Sequence, residues 1–125
     1  MSTTHPRPPA KPIFADFDNI PGVPCPCGTA QRGLFQEDNP LCSLHLTEID
    51  SNARTHYHKE HTEVYYFLEG TAELELDGET HPVKPGMAVL IPPGIRHRAV
   101  VAPDKPIKII NFVMPPFDPE DEWFD

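Results

Sequence analysis

Three histidines lie within six residues near the middle of the 125-residue chain, and a glutamate follows them two residues later. His56 and His58 are separated by one residue, so both side chains point to the same side of an extended segment. Glu63 follows after a short turn and can supply a carboxylate. His97, which comes shortly after a Pro-Pro-Gly turn, is the best candidate for a fourth ligand. Imidazoles and a carboxylate suit one divalent ion such as Fe, Mn, Ni, Cu or Zn, so the sequence predicts a metal site.

Extended segments have to carry these side chains, and the sequence favours strands throughout. No window shows helical periodicity over three turns, and the 17 prolines suit short strands joined by turns. Residues 54–58 are predicted as the strand with the first ligands, residues 59–62 as its turn and residues 63–68 as the next strand. Asp77 and Gly78 give a strong hairpin signal. The spacing of strands and turns is typical of an antiparallel sandwich or barrel.

Other predicted strands flank the ligand segments. Residues 41–49 alternate, which puts Cys42, Leu44 and Leu46 on one face and Ser43, His45 and Thr47 on the other. We interpret His45 as a strand-surface or pocket-wall residue rather than a ligand. Residues 87–91 are predicted to form a buried strand.

Three residues near the ligands are candidates for catalysis. Tyr65 shares the parity of Glu63 and should line the interior, while His61 could act as an acid or base at the pocket rim. We expect His61 to face solvent, because turns generally face outward. Arg54 could face an anionic substrate at the mouth or form a surface salt bridge, and the sequence favours neither.

The cysteines predict no disulfide framework. There are three, which is an odd number, and Cys25 and Cys27 are too close in sequence for an easy bridge. Reduced thiols fit a cytoplasmic location. A C-x-C pair on a proline-containing turn could hold a soft metal, but a second pair of cysteines is missing. We therefore favour a tight turn with two small side chains.

Composition excludes several classes of partner. The formal net charge of −9 repels nucleic acid and anionic lipid. Much of the negative charge lies in residues 118–125, which we expect to be solvated. The N-terminus lacks the apolar core of a signal peptide, and no apolar run reaches membrane-spanning length. A chain of this size buries about two thirds of its unfolded surface, so a partner subunit is expected to help.

Taken together, the two ligand segments resemble those of the cupin family. The first family segment, G-x5-H-x-H-x(3,4)-E-x6-G, is matched by His56, His58, Glu63 and Gly70. The second, G-x5-P-x-G-x2-H-x3-N, is matched by Gly86, Pro92, Gly94 and His97. Asp50 replaces the first glycine and Val101 the final asparagine, and both positions lie outside the ligand set.

The resemblance implies an all-β cupin double-stranded β-helix, or jelly-roll barrel, whose open end holds the ion on His56, His58, Glu63 and His97. It also implies a homodimer, in which we expect residues 13–17 to pack on the partner subunit. We divide the chain into an N-terminal arm (residues 1–30), the barrel (residues 31–117) and an acidic C-terminal tail (residues 118–125).

The function implied by the resemblance is that of a metal-dependent enzyme acting on a small polar metabolite. Two reaction types compete: dioxygenase-type chemistry, and sugar isomerase- or epimerase-type chemistry with the ion as a Lewis acid. The stretch around the first ligands is similar to small cupins often described as sugar-phosphate isomerase-like. A non-catalytic cupin that binds a sugar or another metabolite is the alternative.

Overall fold

The computed structural model describes residues 7–125, so the first six residues of the predicted arm lie outside the described residues. A single 3₁₀ turn, Phe17–Asn19, precedes nine strands in this part of the chain. The strands are Val23–Cys25 (β1), Gly28–Gly33 (β2), Ser43–Ile49 (β3), Thr62–Glu69 (β4), Ala72–Leu76 (β5), Glu79–Val83 (β6), Ala88–Ile91 (β7), His97–Val100 (β8) and Ile107–Met114 (β9). Within residues 7–125, no helix has the length and apolar character that crossing a membrane requires.

The strands form two antiparallel sheets. One has six strands in the order β1-β2-β3-β9-β4-β7, and the other has three in the order β6-β5-β8. β9 lies between β3 and β4, so side chains distant in sequence meet on one face of the larger sheet. The all-β jelly-roll prediction is confirmed. The division into arm, barrel and tail stays a prediction, although β1 and β2 already pair with each other inside the segment assigned to the arm.

The interior of the barrel is apolar at one end and polar at the other. Its apolar part includes Phe67, Leu74, Ile107 and Ile109. The alternation predicted for β3 is correct, but the polar face is the buried one: Ser43, His45 and Thr47 point inward, while Leu44 and Leu46 are half-buried. This polar face forms one wall of the site described below.

Two strand predictions are wrong in part. Residues 54–58 form no strand, because successive residues pair with different segments: His56 bridges to His97, and Tyr57 bridges to Trp123 near the C-terminus. The segment is extended without joining a ladder. Residues 87–91 contain β7, but β7 is the outermost strand of its sheet, so Leu90 is 60% exposed.

Candidate metal centre

The backbone brings the two ligand segments side by side. The His56 N–H donates to the His97 carbonyl at 3.2 Å, and the His97 N–H donates back to the His56 carbonyl at 2.8 Å. The Gly94 N–H donates to the His58 carbonyl at 2.8 Å. These three bonds pin the Pro-Pro-Gly turn against the extended segment, so the three predicted histidine ligands come to lie together.

The side chains of the four predicted ligands lie close together. The ring centroid of His56 is 4.5 Å from that of His97 and 5.3 Å from that of His58, and the centroids of His58 and His97 are 5.3 Å apart. Nε2 of His58 and Nε2 of His97 lie 2.9 and 3.1 Å from Oε1 of Glu63. The structure therefore brings the four predicted side chains together: the three imidazoles form one group, and Glu63 joins it through His58 and His97. Their role as metal ligands stays a prediction.

Each of the three imidazoles is oriented by a backbone carbonyl. Nδ1 of His56 contacts the Arg54 carbonyl at 2.8 Å, and Nδ1 of His97 contacts the Ile95 carbonyl at 2.9 Å. Nδ1 of His58 contacts the carbonyl of Asp121. A carbonyl only accepts hydrogen bonds, so Nδ1 carries the hydrogen in each ring. A neutral ring held in this way presents its Nε2 lone pair to the common centre, as metal-binding histidines do.

This donor set fits a divalent cation. Nε2 of His58 is buried and has no aligned hydrogen-bond partner among the described residues, although it lies 2.9 Å from the Glu63 carboxylate. An imidazole lone pair that faces a carboxylate oxygen is repelled unless positive charge lies between them. Imidazole nitrogens and one carboxylate oxygen are the donors that borderline divalent ions prefer.

The protonation of Glu63 agrees with a ligand role. Burial alone would raise its pKa, but the approach of His58 and His97 outweighs burial and holds the pKa well below its usual range. The Asn111 amide donates to Oε2 of Glu63 at 2.7 Å, which leaves Oε1 for the histidine side. Burial, followed by the neighbouring His97, lowers the pKa of His56, which favours the neutral imidazole that a metal requires. Burial would also lower the pKa of His58, but Glu63 outweighs burial and raises it, so the carboxylate attracts positive charge to this position.

The acidic tail closes one side of this centre. The Asp121 carboxylate accepts hydrogen bonds from the N–H groups of Lys59, Glu60 and His61, each at 2.9 Å. Burial would raise the pKa of Asp121, but these N–H donors outweigh it and hold the pKa at about 2. Asp121 is 7% exposed, so the expectation that the tail is solvated is wrong at this residue.

His61 is buried, with 2% of its surface exposed, so the expectation that it faces solvent is also wrong. The reason is that the tail covers the turn to which it belongs. Its Nε2 accepts a hydrogen bond from the Asp118 N–H at 3.1 Å. His58, His61 and Asp121 form a second group whose potential ligand atoms lie within 4.8 Å of one another. Because backbone N–H groups already occupy Asp121 and His61, we interpret this group as a structural network.

A cavity of about 380 Å³ opens onto the histidines. Its wall includes the candidate residue Tyr65, which is buried, and burial followed by the Glu63 charge raises the pKa of the phenol well above its usual value. His45 also lines the cavity, as the pocket-wall interpretation predicts. A wider concavity of about 650 Å³ elsewhere contains Glu73 and Lys84 as its charged residues and no histidine or cysteine.

Arg32 is a site residue that the sequence did not reveal. Its guanidinium lies 3.9 Å above the Phe117 ring and 3.3 Å from Nδ1 of His45. His45 is held in turn by Ser43, whose Oγ is 2.7 Å from Nε2. Burial lowers the pKa of Arg32. Within residues 7–125 the guanidinium forms no ion pair with a carboxylate, so its charge is left facing the cavity.

Arg54 and Arg96 do not line the cavity, and Arg98, which does, is paired with a carboxylate. The Arg54 guanidinium stacks 4.4 Å from the Phe124 ring and donates to the Asp125 carbonyl at 3.3 Å. It is exposed, does not line the cavity and forms no side-chain salt bridge among the described residues, whereas contact with an anionic substrate stays a prediction. Arg96 pairs with Asp125 at 2.8 Å, and Arg98 pairs with Glu75 at 2.7 Å.

Known proteins share this arrangement of strands. L-ectoine synthase of Aliivibrio fischeri is 34% identical over 87 residues, which cover 68% of each chain. A solved structure of a protein from Planctomyces limnophilus is 44% identical, covers 92% of this chain and 98% of its own, and has a TM-score of 0.85. The nucleoside dehydratase Pac13 is 13% identical over 90% of both chains, with a TM-score of 0.75, and shares the fold. The family model described as cupin domain matches residues 45–113. The chain therefore belongs to the cupin domain family.

Proposed function

We propose that the protein is a metal-dependent enzyme that acts on a small metabolite carrying an anionic group. The observation that carries this proposal is the cluster of three imidazoles whose potential ligand atoms lie within 4.8 Å of one another. The Glu63 carboxylate lies beside this cluster, and Glu63, His56 and His58 line a cavity of about 380 Å³. A cavity of this volume suits a small molecule. A divalent ion bound there would act as a Lewis acid on a substrate carbonyl.

Arg32 supports the choice of an anionic substrate. A guanidinium that is partly desolvated and lacks a carboxylate partner among residues 7–125 gains by pairing with a carboxylate or phosphate of a ligand. The Arg32 guanidinium is held in place by stacking on the Phe117 ring and by a hydrogen bond to His45. In this proposal Arg32 takes the role of anion anchor that the sequence offered to Arg54.

The cavity supports isomerase-type chemistry over oxygen chemistry, because a hydrogen-bond donor lines it. Tyr65 is neutral near pH 7, so its hydroxyl can donate a hydrogen bond to a developing oxyanion, and its raised pKa disfavours loss of the proton. The same polarisation of a carbonyl serves isomerisation, loss of water and ring closure. The 34% identity with L-ectoine synthase supports a synthase-type variant of this chemistry.

The test begins with protein purified without added metal. We expect about one transition ion per chain by elemental analysis, and saturable binding of small carboxylates or phosphates that is lost in Arg32→Ala. When hydroxy and keto acids are incubated with the protein in D₂O, NMR should show exchange of a proton next to the carbonyl. An oxygen electrode should show no oxygen uptake in the same reaction. Oxygen uptake would shift the proposal to dioxygenase chemistry, and tight binding without turnover would make the protein a binding cupin.

A further inference from the structure

Cys25 and Cys27 lie on the turn that joins β1 to β2, at the wall of the cavity. In this hairpin Cys25 pairs with Gly28, so Pro26 and Cys27 form the two-residue loop. The Cys27 carbonyl accepts hydrogen bonds from the N–H groups of Asp50 and Ser51 at 3.0 and 3.2 Å. A side chain at Gly28 would put its Cβ 2.0 Å from the Glu48 carbonyl, so only glycine allows this close approach. The loop is therefore fixed against the end of β3.

The two sulfur atoms are neighbours. Their Sγ atoms are 3.6 Å apart, and both side chains are half-buried and line the cavity. A disulfide bond is about 2.05 Å long, so closing this pair requires a shift of about 1.5 Å. Thiol and thiolate at this separation share one hydrogen bond, which stabilises the charged partner.

The surroundings make the two thiols unequal. The hydrogen bond from Cys27, aided by the charge of Arg32, lowers the pKa of Cys25 to about 6. The same contact and burial raise the pKa of Cys27. Cys25 is thus the nucleophile and Cys27 the proton-bearing thiol beside it, which is the arrangement found in reactive thiol pairs.

We propose that Cys25 and Cys27 form a thiol–disulfide modification site that reacts with peroxide at the wall of the cavity. The Cys25 thiolate attacks one oxygen of hydrogen peroxide, the O–O bond breaks, and hydroxide leaves as Cys25 becomes a sulfenic acid. The Cys27 sulfur then attacks the Cys25 sulfur, the S–O bond breaks, and one water is released as the disulfide forms. The dithiol loses two electrons and the peroxide gains them.

The experiment treats the purified full-length protein with hydrogen peroxide and counts free thiols, with Cys42→Ser as the matched control. Wild type and Cys42→Ser should each lose two thiols and two mass units, and peptide mapping should place the disulfide between residues 25 and 27. Cys27→Ser, which removes the resolving sulfur but keeps a hydrogen-bond donor beside Cys25, should stop at a sulfenic acid on Cys25 that dimedone traps. Cys25→Ala should lose no thiols to peroxide, because the raised pKa of Cys27 keeps that residue in its unreactive thiol form.

Alkylation by iodoacetamide at about pH 6 measures the thiolate directly. At that pH about half of Cys25 is thiolate, against about 0.3% for an ordinary cysteine, a ratio of about 150. Lower basicity reduces intrinsic reactivity about tenfold, so Cys25 should react about tenfold faster in the folded protein than in urea. Circular dichroism verifies that each variant folds. Disulfides between chains, equal loss of Cys42, or a Cys25 rate no faster than in urea would overturn the proposal.

Discussion

Replacing Asp121 with alanine should destabilise the protein by releasing the tail from the turn beside the ligands. The carboxylate accepts three backbone hydrogen bonds at 2.9 Å and a fourth from Trp123 Nε1 at 3.1 Å. A hydrogen bond to a charged group contributes about 1.5–3 kcal/mol, but once the tail is released water can hydrogen-bond to the freed N–H groups and offset part of the loss. We therefore expect the free energy of unfolding to fall by about 3 kcal/mol and the melting temperature by about 10 °C.

The same substitution should weaken metal binding. Nδ1 of His58 donates to the Asp121 carbonyl, and that carbonyl stays in position only while the tail is anchored. Loss of such an outer partner of a metal-binding histidine typically lowers metal affinity about 10–100-fold. Calorimetric titration of chelator-treated protein with Zn²⁺ measures the affinity, and differential scanning fluorimetry measures the melting temperature.

Glu120→Ala is the matched control, because it removes the same charge from an exposed neighbouring residue. It should leave both quantities nearly unchanged. If Asp121→Ala and Glu120→Ala melt at the same temperature and bind Zn²⁺ equally, the tail does not hold the site and the reasoning is refuted.

The pH dependence of the Asp121 contribution has a definite sign. The pKa of Asp121 is about 2 in the folded protein and about 3.9 in the unfolded chain, so ionised Asp121 stabilises the fold above about pH 4. That contribution is lost as the pH falls toward 2. The stability difference between wild type and Asp121→Ala should therefore shrink across this window in urea titrations. A constant difference would show that the carboxylate charge does not matter.

Three further predictions concern the ion, the anion anchor and assembly. His58→Ala should lose most of its metal in elemental analysis and still give the circular dichroism of the wild type. His81→Ala, a substitution at an exposed histidine, should keep its metal. Full metal occupancy in His58→Ala would exclude His58 as a ligand. Arg32→Ala should weaken binding of small anions about tenfold or more with unchanged metal content, and Arg32→Lys should restore part of it. Light scattering should show a homodimer that Phe14→Asp weakens, since Phe14 is 93% exposed; a wild-type monomer at micromolar concentration would contradict this.

The fold and the proximity of the four candidate ligands could both be predicted, the fold from local alternation and the proximity from the resemblance of two short segments to the cupin family. Alternation of side chains predicted strands, and the separation of His56 and His58 by one residue put both on one side even though no strand forms there. The matched family segments then brought Glu63 and His97 to the same centre, as the structure shows.

The sequence could not reveal residues whose approach depends on tertiary closure. Asn111 reaches Glu63 across β9 and β4, and Arg32 reaches His45 across β2 and β3. Asp121 joins the turn at residues 59–61 only after the chain has returned past the barrel. No local spacing encodes these contacts. For the same reason the burial of His61 was missed, since the residues that cover it lie about 60 positions away.

The residues of the site divide between the part of the chain that matches the family and the part that does not. The four converging side chains and Asn111 lie within residues 45–113, whereas Arg32, the cysteine pair and Asp121 lie outside. The chain ends thus close a cavity whose floor belongs to the shared barrel. If the ends select the ligand, the two substitutions should have different effects. Arg32→Ala should weaken anion binding and leave metal affinity unchanged, whereas Asp121→Ala should lower metal affinity and stability together.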